Sequence, residues 1–144
     1  MNILFVCTGN TCRSAMAEAI LRAKQLDNMN VQSAGIYAQQ GDAMSTNAQA
    51  VLNANAIQHA HTAKRLSEQQ LEWATLVVTM TNAHKQAILQ MAPQYASKLY
   101  TLHELATNST ADVRDPYGAS QAVYAQTFLE LQTAIQKLPL TKEN

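Results

Sequence analysis

Residues 2–14 read NILFVCTGNTCRS. An unbroken apolar run that ends in a polar, glycine-containing loop is the pattern of a strand buried on both faces, as in a parallel sheet. The next stretch, AMAEAILRAKQL, sets Ala15, Met16, Ala19, Ile20 and Ala23 on one side of a helix, with Ser14 expected as N-cap and Glu18 in the first turn. A strand that feeds a loop and then a helix demands a crossover to a neighbouring parallel strand, so this opening restricts the chain to α/β architectures.

The rest of the sequence repeats the alternation. Val31 to Ala34 reads as a second strand, stopped by Gly35. Thr46 and Gln49 have capping-box spacing ahead of a helix through QAVLNANAI. Ser67 and Gln70 repeat that spacing before a short helical turn to Trp73, and TLVVTM (Thr75 to Met80) has the β-branched density of an interior strand. Thr81 or Asn82 is expected to cap a helix that Pro93 ends, and Lys98 to Leu102 (KLYTL) forms a fourth strand. A polar connection, NSTADVRDPYGAS, leads to a last helix over Gln121 to Leu138. The expected fold is one α/β domain over residues 1–144: a four-stranded parallel sheet with helices on both faces and a phosphate-binding loop between the first strand and the first helix.

Charge and length exclude several function classes. Ten basic residues balance ten acidic ones without any run of like charge, so neither nucleic acid nor a membrane surface is expected as partner. No stretch reaches the ~18 apolar residues of a membrane span, and no basic leader precedes the first strand, which predicts a cytoplasmic protein. Cys7 and Cys12, with no cysteine elsewhere, do not make the disulfide framework of a secreted domain. They point to chemistry or redox sensing.

In an open parallel sheet, ligands sit beyond the carboxyl ends of the strands. A loop there that enters a helix N-terminus turns its backbone N–H groups inward and adds the positive end of the helix dipole, which makes an anion site. Cys7 opens the loop, where those groups, Arg13 and the Ser14 hydroxyl stabilise a thiolate nucleophile. Arg13 can hold two phosphate oxygens with its planar fork, which a lysine cannot. Gly9 is expected to turn with positive φ, and Asn10 to bond the loop backbone or adopt a left-handed conformation. No metal is expected, because C-x4-C supplies two ligands and His59, His61, His84 and His103 read as surface or capping residues. No cofactor is needed. Asp115 in RDPYG is the remaining chemical candidate. It sits in a polar loop, biased towards extended backbone by Pro116, and one carboxyl group can first protonate a leaving group and then activate water.

With the C-x5-R-S string at one end and DPYG before the last helix at the other, the chain resembles the low-molecular-weight protein-tyrosine phosphatases, and TLVVTM followed by HK fits the same pattern. The resemblance implies a metal-independent, bacterial-type phosphatase acting on phosphorylated proteins. Cys7 is then the nucleophile, Arg13 the phosphate and transition-state ligand, and Asp115 the general acid. Thr8, Gly9, Asn10, Thr11, Cys12 and Ser14 form the substrate loop, and Tyr117 a wall of the cleft. It also implies a reversible Cys7–Cys12 disulfide that protects the nucleophile. Two positions depart from the family's habit: Ala15 where proline is frequent, and Ala119 where a second glycine follows DPYG.

Thr11 bears on the substrate. Phosphotyrosine phosphatases of this family commonly carry a bulky aliphatic residue there, whereas Thr resembles the branch acting on phosphoarginine in proteins. A threonine removes bulk and offers a hydroxyl near a guanidinium, with which Asp115 can also pair. Phosphoarginine is therefore the expected substrate, with phosphotyrosine the alternative. An arsenate reductase needs later cysteines that this chain lacks, and neither a phosphocysteine carrier nor a noncatalytic phosphoprotein-binding module needs both Arg13 and Asp115. The oligomeric state is left open.

Overall fold

The structure is a computed structural model that describes residues 1–140. In chain order it contains β1 (Asn2–Cys7), α1 (Arg13–Ala23), β2 (Asn30–Gly35), α2 (Thr46–Ala54), α3 (Glu68–Trp73), β3 (Leu76–Thr79), α4 (Asn82–Met91), β4 (Leu99–Thr101), α5 (Leu102–Thr107) and α6 (Gln121–Gln136), with a 3-10 segment over Pro93–Lys98. The strands form one parallel sheet in the order β2-β1-β3-β4. This is the expected four-stranded sheet, and β1, the most apolar strand, is paired on both sides.

Side chains of β1 alternate between two cores because successive residues of a strand point to opposite faces. Ile3, Phe5 and Cys7 join Met16 and Ile20 of α1, Leu52 of α2 and Phe128 and Leu131 of α6. Leu4 and Val6 join Leu71 of α3, Val77, Ile88 of α4 and Leu99 on the other face. Among the described residues no helix is long and apolar enough to cross a membrane.

Several local expectations are corrected. Cys12, not Ser14, is the N-cap of α1, and it makes no side-chain cap bond; Ser14 lies inside the first turn, fully buried. Ser45, not Thr46, caps α2 by accepting from the Ala48 N–H at 3.3 Å, so the helix starts one residue earlier than the Thr46–Gln49 spacing implies. Thr81 caps α4 and the Ser67–Gln70 capping box forms as expected. Helix α5 was not anticipated. Its signal was present as a capping box of Thr101 and Glu104, and Glu104 also holds Lys85 Nζ at 3.0 Å from each carboxylate oxygen. Helix α6 ends two residues before Leu138, which packs into the core from beyond it.

Gly35 decides how close the end of β2 can come to the loop after β1. It pairs with Cys7 in the sheet register. A Cβ at Gly35 would lie 2.5 Å from the Thr8 carbonyl oxygen and 2.9 Å from the Asn10 nitrogen, both backbone atoms that cannot swing away. We expect Gly35→Ala to cost about 1–3 kcal/mol in urea unfolding, as overpacking does, and to displace the amide resonances of residues 8–12. A loss below about 0.5 kcal/mol, the range of neutral surface changes, with those resonances unmoved, would contradict this reading.

Candidate active site

The loop between β1 and α1 lies where the sheet changes direction, with β2 on one side of β1 and β3 on the other. Asn10 shapes it. Its φ is 57°, a left-handed value that asparagine tolerates better than most residues, and it is fully buried. Its Nδ2 donates to Ser14 Oγ at 2.8 Å and Ser33 Oγ at 2.9 Å, and its Oδ1 accepts from the Lys64 N–H at 2.9 Å. The positive φ expected of Gly9 falls instead on Asn10. A Cβ at Gly9 would meet only Thr11 Oγ1, at 3.8 Å, so Gly9 keeps its side of the cleft open rather than making the turn.

This geometry gathers polar groups around one sulfur. Cys7 Sγ is 2.9 Å from Ser14 Oγ and receives the Asn10 N–H at 3.3 Å, and it lies at the N-terminus of α1. A backbone N–H, a hydroxyl and a helix N-terminus around one sulfur make surroundings suited to an anion. Cys12 is also a free thiol, buried and held by Ser45 Oγ and Tyr124 Oη, each at 3.3 Å. Burial, reinforced by the bond to Cys12, pushes the Tyr124 hydroxyl up to about 12, so it remains a neutral donor.

Arg13 is buried at the mouth of the loop. Its Nη1 donates to the Val113 carbonyl at 3.0 Å, while Nη2 lies 3.5 Å from Thr8 Oγ1 and 3.6 Å from Asp115 Oδ2. The Val113 bond anchors the guanidinium to the segment that carries Asp115, which brings together groups a hundred residues apart. Asp115 Oδ1 also accepts the Tyr117 N–H at 3.1 Å. The turn expected of DPYG and the carboxylate offered to the cleft are thus the same structure: one oxygen stabilises the turn and the other faces Arg13.

Cys7, Thr8, Gly9, Asn10, Thr11, Cys12, Arg13, Asp115 and Tyr117 line one cleft of about 300 Å³. Ser14 does not line it, but sits behind Cys7. Tyr37, Gln39 and Asp42, from the connection after β2, complete the lining; nothing in YAQQGD marked them in the sequence. The Cys7 thiol at a helix N-terminus, the Arg13 guanidinium and the Asp115 carboxyl group in one cleft make surroundings suited to a tetrahedral anion.

The four histidines do not behave alike. His103 is the partly exposed residue expected, 2.6 Å from a Glu130 oxygen. His59 and His61 are not surface side chains but are buried against Glu18, because the loop that carries them folds back over α1 and the loop at Asn10. His84 is buried too, with Nε2 2.9 Å from Thr8 Oγ1. Burial, and then the Arg13 charge, lowers its pKa to about 4 against the weaker pull of Asp112 and Asp115.

His84 therefore stays neutral in the folded protein while the unfolded chain takes up its proton near pH 6.5. Its contribution is complete above about pH 6.5 and is lost as the pH falls towards 4. We expect the guanidinium chloride midpoint of the wild type to fall more steeply over that window than that of His84→Gln. Parallel curves for the two proteins would refute a buried neutral imidazole.

Comparison with known proteins agrees with this geometry. The chain matches the profile "Low molecular weight phosphotyrosine protein phosphatase" over residues 2–143. It is 42% identical over 136 residues to a protein-arginine-phosphatase of Geobacillus stearothermophilus, covering 94% of this chain and 92% of that protein. It is 37% identical over 140 residues to the low molecular weight protein-tyrosine-phosphatase PtpB of Staphylococcus haemolyticus, covering 96% and 97%. Among solved structures, the YwlE arginine phosphatase of G. stearothermophilus superimposes with a TM-score of 0.93 at 41% identity, over 94% of this chain and 88% of that one. A YwlE variant with a phosphorylated active-site serine gives 0.92 at 40% identity, over 95% and 92%. A profile that spans both the loop of Cys7 and the turn of Asp115 leaves one conclusion: the chain belongs to the low molecular weight phosphotyrosine protein phosphatase family.

Proposed function

We propose that this protein removes phosphoryl groups from arginine side chains of phosphorylated proteins, in the cytoplasm, by way of a phosphocysteine. The observation that carries the chemistry is the convergence of Cys7 Sγ, the Arg13 guanidinium and the Asp115 carboxyl on one cleft. The Cys7 thiolate attacks phosphorus opposite the scissile P–N bond. As that bond breaks its electron pair goes to nitrogen, which receives a proton from Asp115. Arg13 and the loop N–H groups bind the phosphoryl oxygens and stabilise the charge of the transition state. The Asp115 carboxylate then accepts a proton from water, whose oxygen attacks phosphorus, and the S–P bond breaks to return the thiolate and release phosphate. The phosphorylated active-site serine of the YwlE variant supports a phosphoryl group carried at this position.

Two observations favour phosphoarginine. Thr11 lines the cleft with a small polar side chain, and relatives more than 40% identical over nearly the whole chain are named protein-arginine-phosphatases. A guanidinium entering the cleft meets the Asp115 carboxyl group, half exposed and able to hydrogen-bond with its nitrogens. Phosphotyrosine is the second reading, supported by the exposed rings of Tyr37 and Tyr117 on the rim and by the PtpB relatives.

Cys7→Ser is expected to abolish turnover. Asp115→Asn is expected to lower kcat by ~10²–10⁴, the usual worth of a general acid, and to let phosphocysteine accumulate in single-turnover quench experiments. Retained hydrolysis in Cys7→Ser would sink the mechanism. Peptides carrying phosphoarginine or phosphotyrosine separate the substrates. We expect the wild type to prefer the former in kcat/KM, and Thr11→Ile to shift the ratio towards phosphotyrosine by ~10-fold or more, as a change in pocket fit does. A wild-type preference for phosphotyrosine would establish the second reading.

A further inference from the structure

A second polar cluster lies behind the loop, outside the cleft of Cys7. Glu18 of α1 faces His59 and His61, and one nitrogen or oxygen from each of the three lies within 4.8 Å of the others. The side chains are almost withdrawn from water, with exposures of 11% for Glu18, 7% for His59 and 4% for His61. His59 Nε2 sits 3.9 Å from Glu18 Oε2, and His61 Nδ1 sits 3.9 Å from Glu18 Oε1. Neither distance is a hydrogen bond. His59 Nε2 is buried and has no hydrogen-bond partner among the described residues.

The other contacts orient these ligand atoms. His61 Nε2 lies 2.7 Å from the Asn10 carbonyl oxygen, which can only accept, so that nitrogen carries the hydrogen and a neutral ring turns its Nδ1 lone pair towards Glu18. Donation of the second ring N–H to a backbone carbonyl is how metal-bound histidines are commonly held. Glu18 is fixed by Ser33 Oγ at 2.5 Å and Arg22 Nε at 2.8 Å. Two imidazole nitrogens and one carboxylate make the donor set of a borderline divalent cation such as zinc.

We propose that Glu18, His59 and His61 bind a divalent cation of the zinc class at the cleft of about 270 Å³ that they line with Arg22, Ser33 and Lys64. Such an ion acts on the loop through two routes. His61 holds the Asn10 carbonyl, and Glu18 accepts from Ser33, which accepts from Asn10 Nδ2. Binding would therefore tighten the residue that sets the shape of the loop under Cys7. Arg22, about half exposed, places a competing positive charge on the same carboxylate.

The test is Zn²⁺ titration by calorimetry on full-length Cys7→Ser/Cys12→Ser protein, in which no thiolate can take the metal. One ion per chain is expected. The affinity should fall by more than ~10-fold when His59→Gln is added, and rise when Arg22→Gln is added. The ring proton–carbon signals of His59 and His61 should move together during an NMR titration of the histidine-intact protein. Circular dichroism establishes that each variant is folded; if His59→Gln is not, the ring signals decide alone. No binding, binding undiminished in folded His59→Gln, or ring signals that stay fixed while the ion binds would overturn the site.

Discussion

The site depends on the side chain of one buried asparagine. Asn10 holds a left-handed backbone conformation that bends the loop under Cys7, and three neighbours supply the hydrogen bonds that keep it there: Ser14 from α1, Ser33 from β2 and the Lys64 amide from the segment before α3. A fully buried polar side chain is costly unless its groups are paired, so this network both stabilises the bend and specifies it. The Asn10 N–H and the Ser14 hydroxyl that result are the groups that reach the sulfur. A thiol at the end of β1 becomes a candidate nucleophile because its surroundings were arranged by a residue three positions later.

Electrostatic placement follows the same economy. The Arg13 guanidinium is buried, and its charge bears on two groups in opposite ways: it faces Asp115 across 3.6 Å and helps to keep His84 neutral. The Val113 carbonyl fixes Arg13 from the segment that carries Asp115, so one hydrogen bond ties the guanidinium to the stretch of chain whose carboxyl group it faces. On the far side of the loop, Glu18, Arg22, His59 and His61 form a second polar group, joined to the first through Asn10 and Ser33. Two polar clusters thus share one backbone turn.

Much of this could be read along the chain. The apolar run before Cys7, the β-branched stretch at Leu76–Thr79 and the alternation with helices announced a parallel sheet, because burial on both faces demands continuous apolar strands. Errors gathered at helix starts. Ser14 was expected both to cap the helix and to reach the sulfur and does only the second, and Thr46 yielded to Ser45, since a hydroxyl one residue away can serve as well and tertiary contacts choose between them. Helix α5 was missed between the expected fourth strand and the polar connection, although Thr101 and Glu104 marked its start.

The sequence by itself determined the strand–loop–helix opening, the cysteine and arginine at its two ends and the carboxylate in a proline turn, because these are set by local apolar pattern and residue chemistry. Only the tertiary structure decided that Asp115 stands against Arg13, that Gly35 is needed for β2 to pass beside the loop, and that His59 and His61 are buried on Glu18. Those relations join residues far apart in the chain. No spacing encodes them; they follow from the order β2-β1-β3-β4, which gathers the connections at one end of the sheet and presses them together.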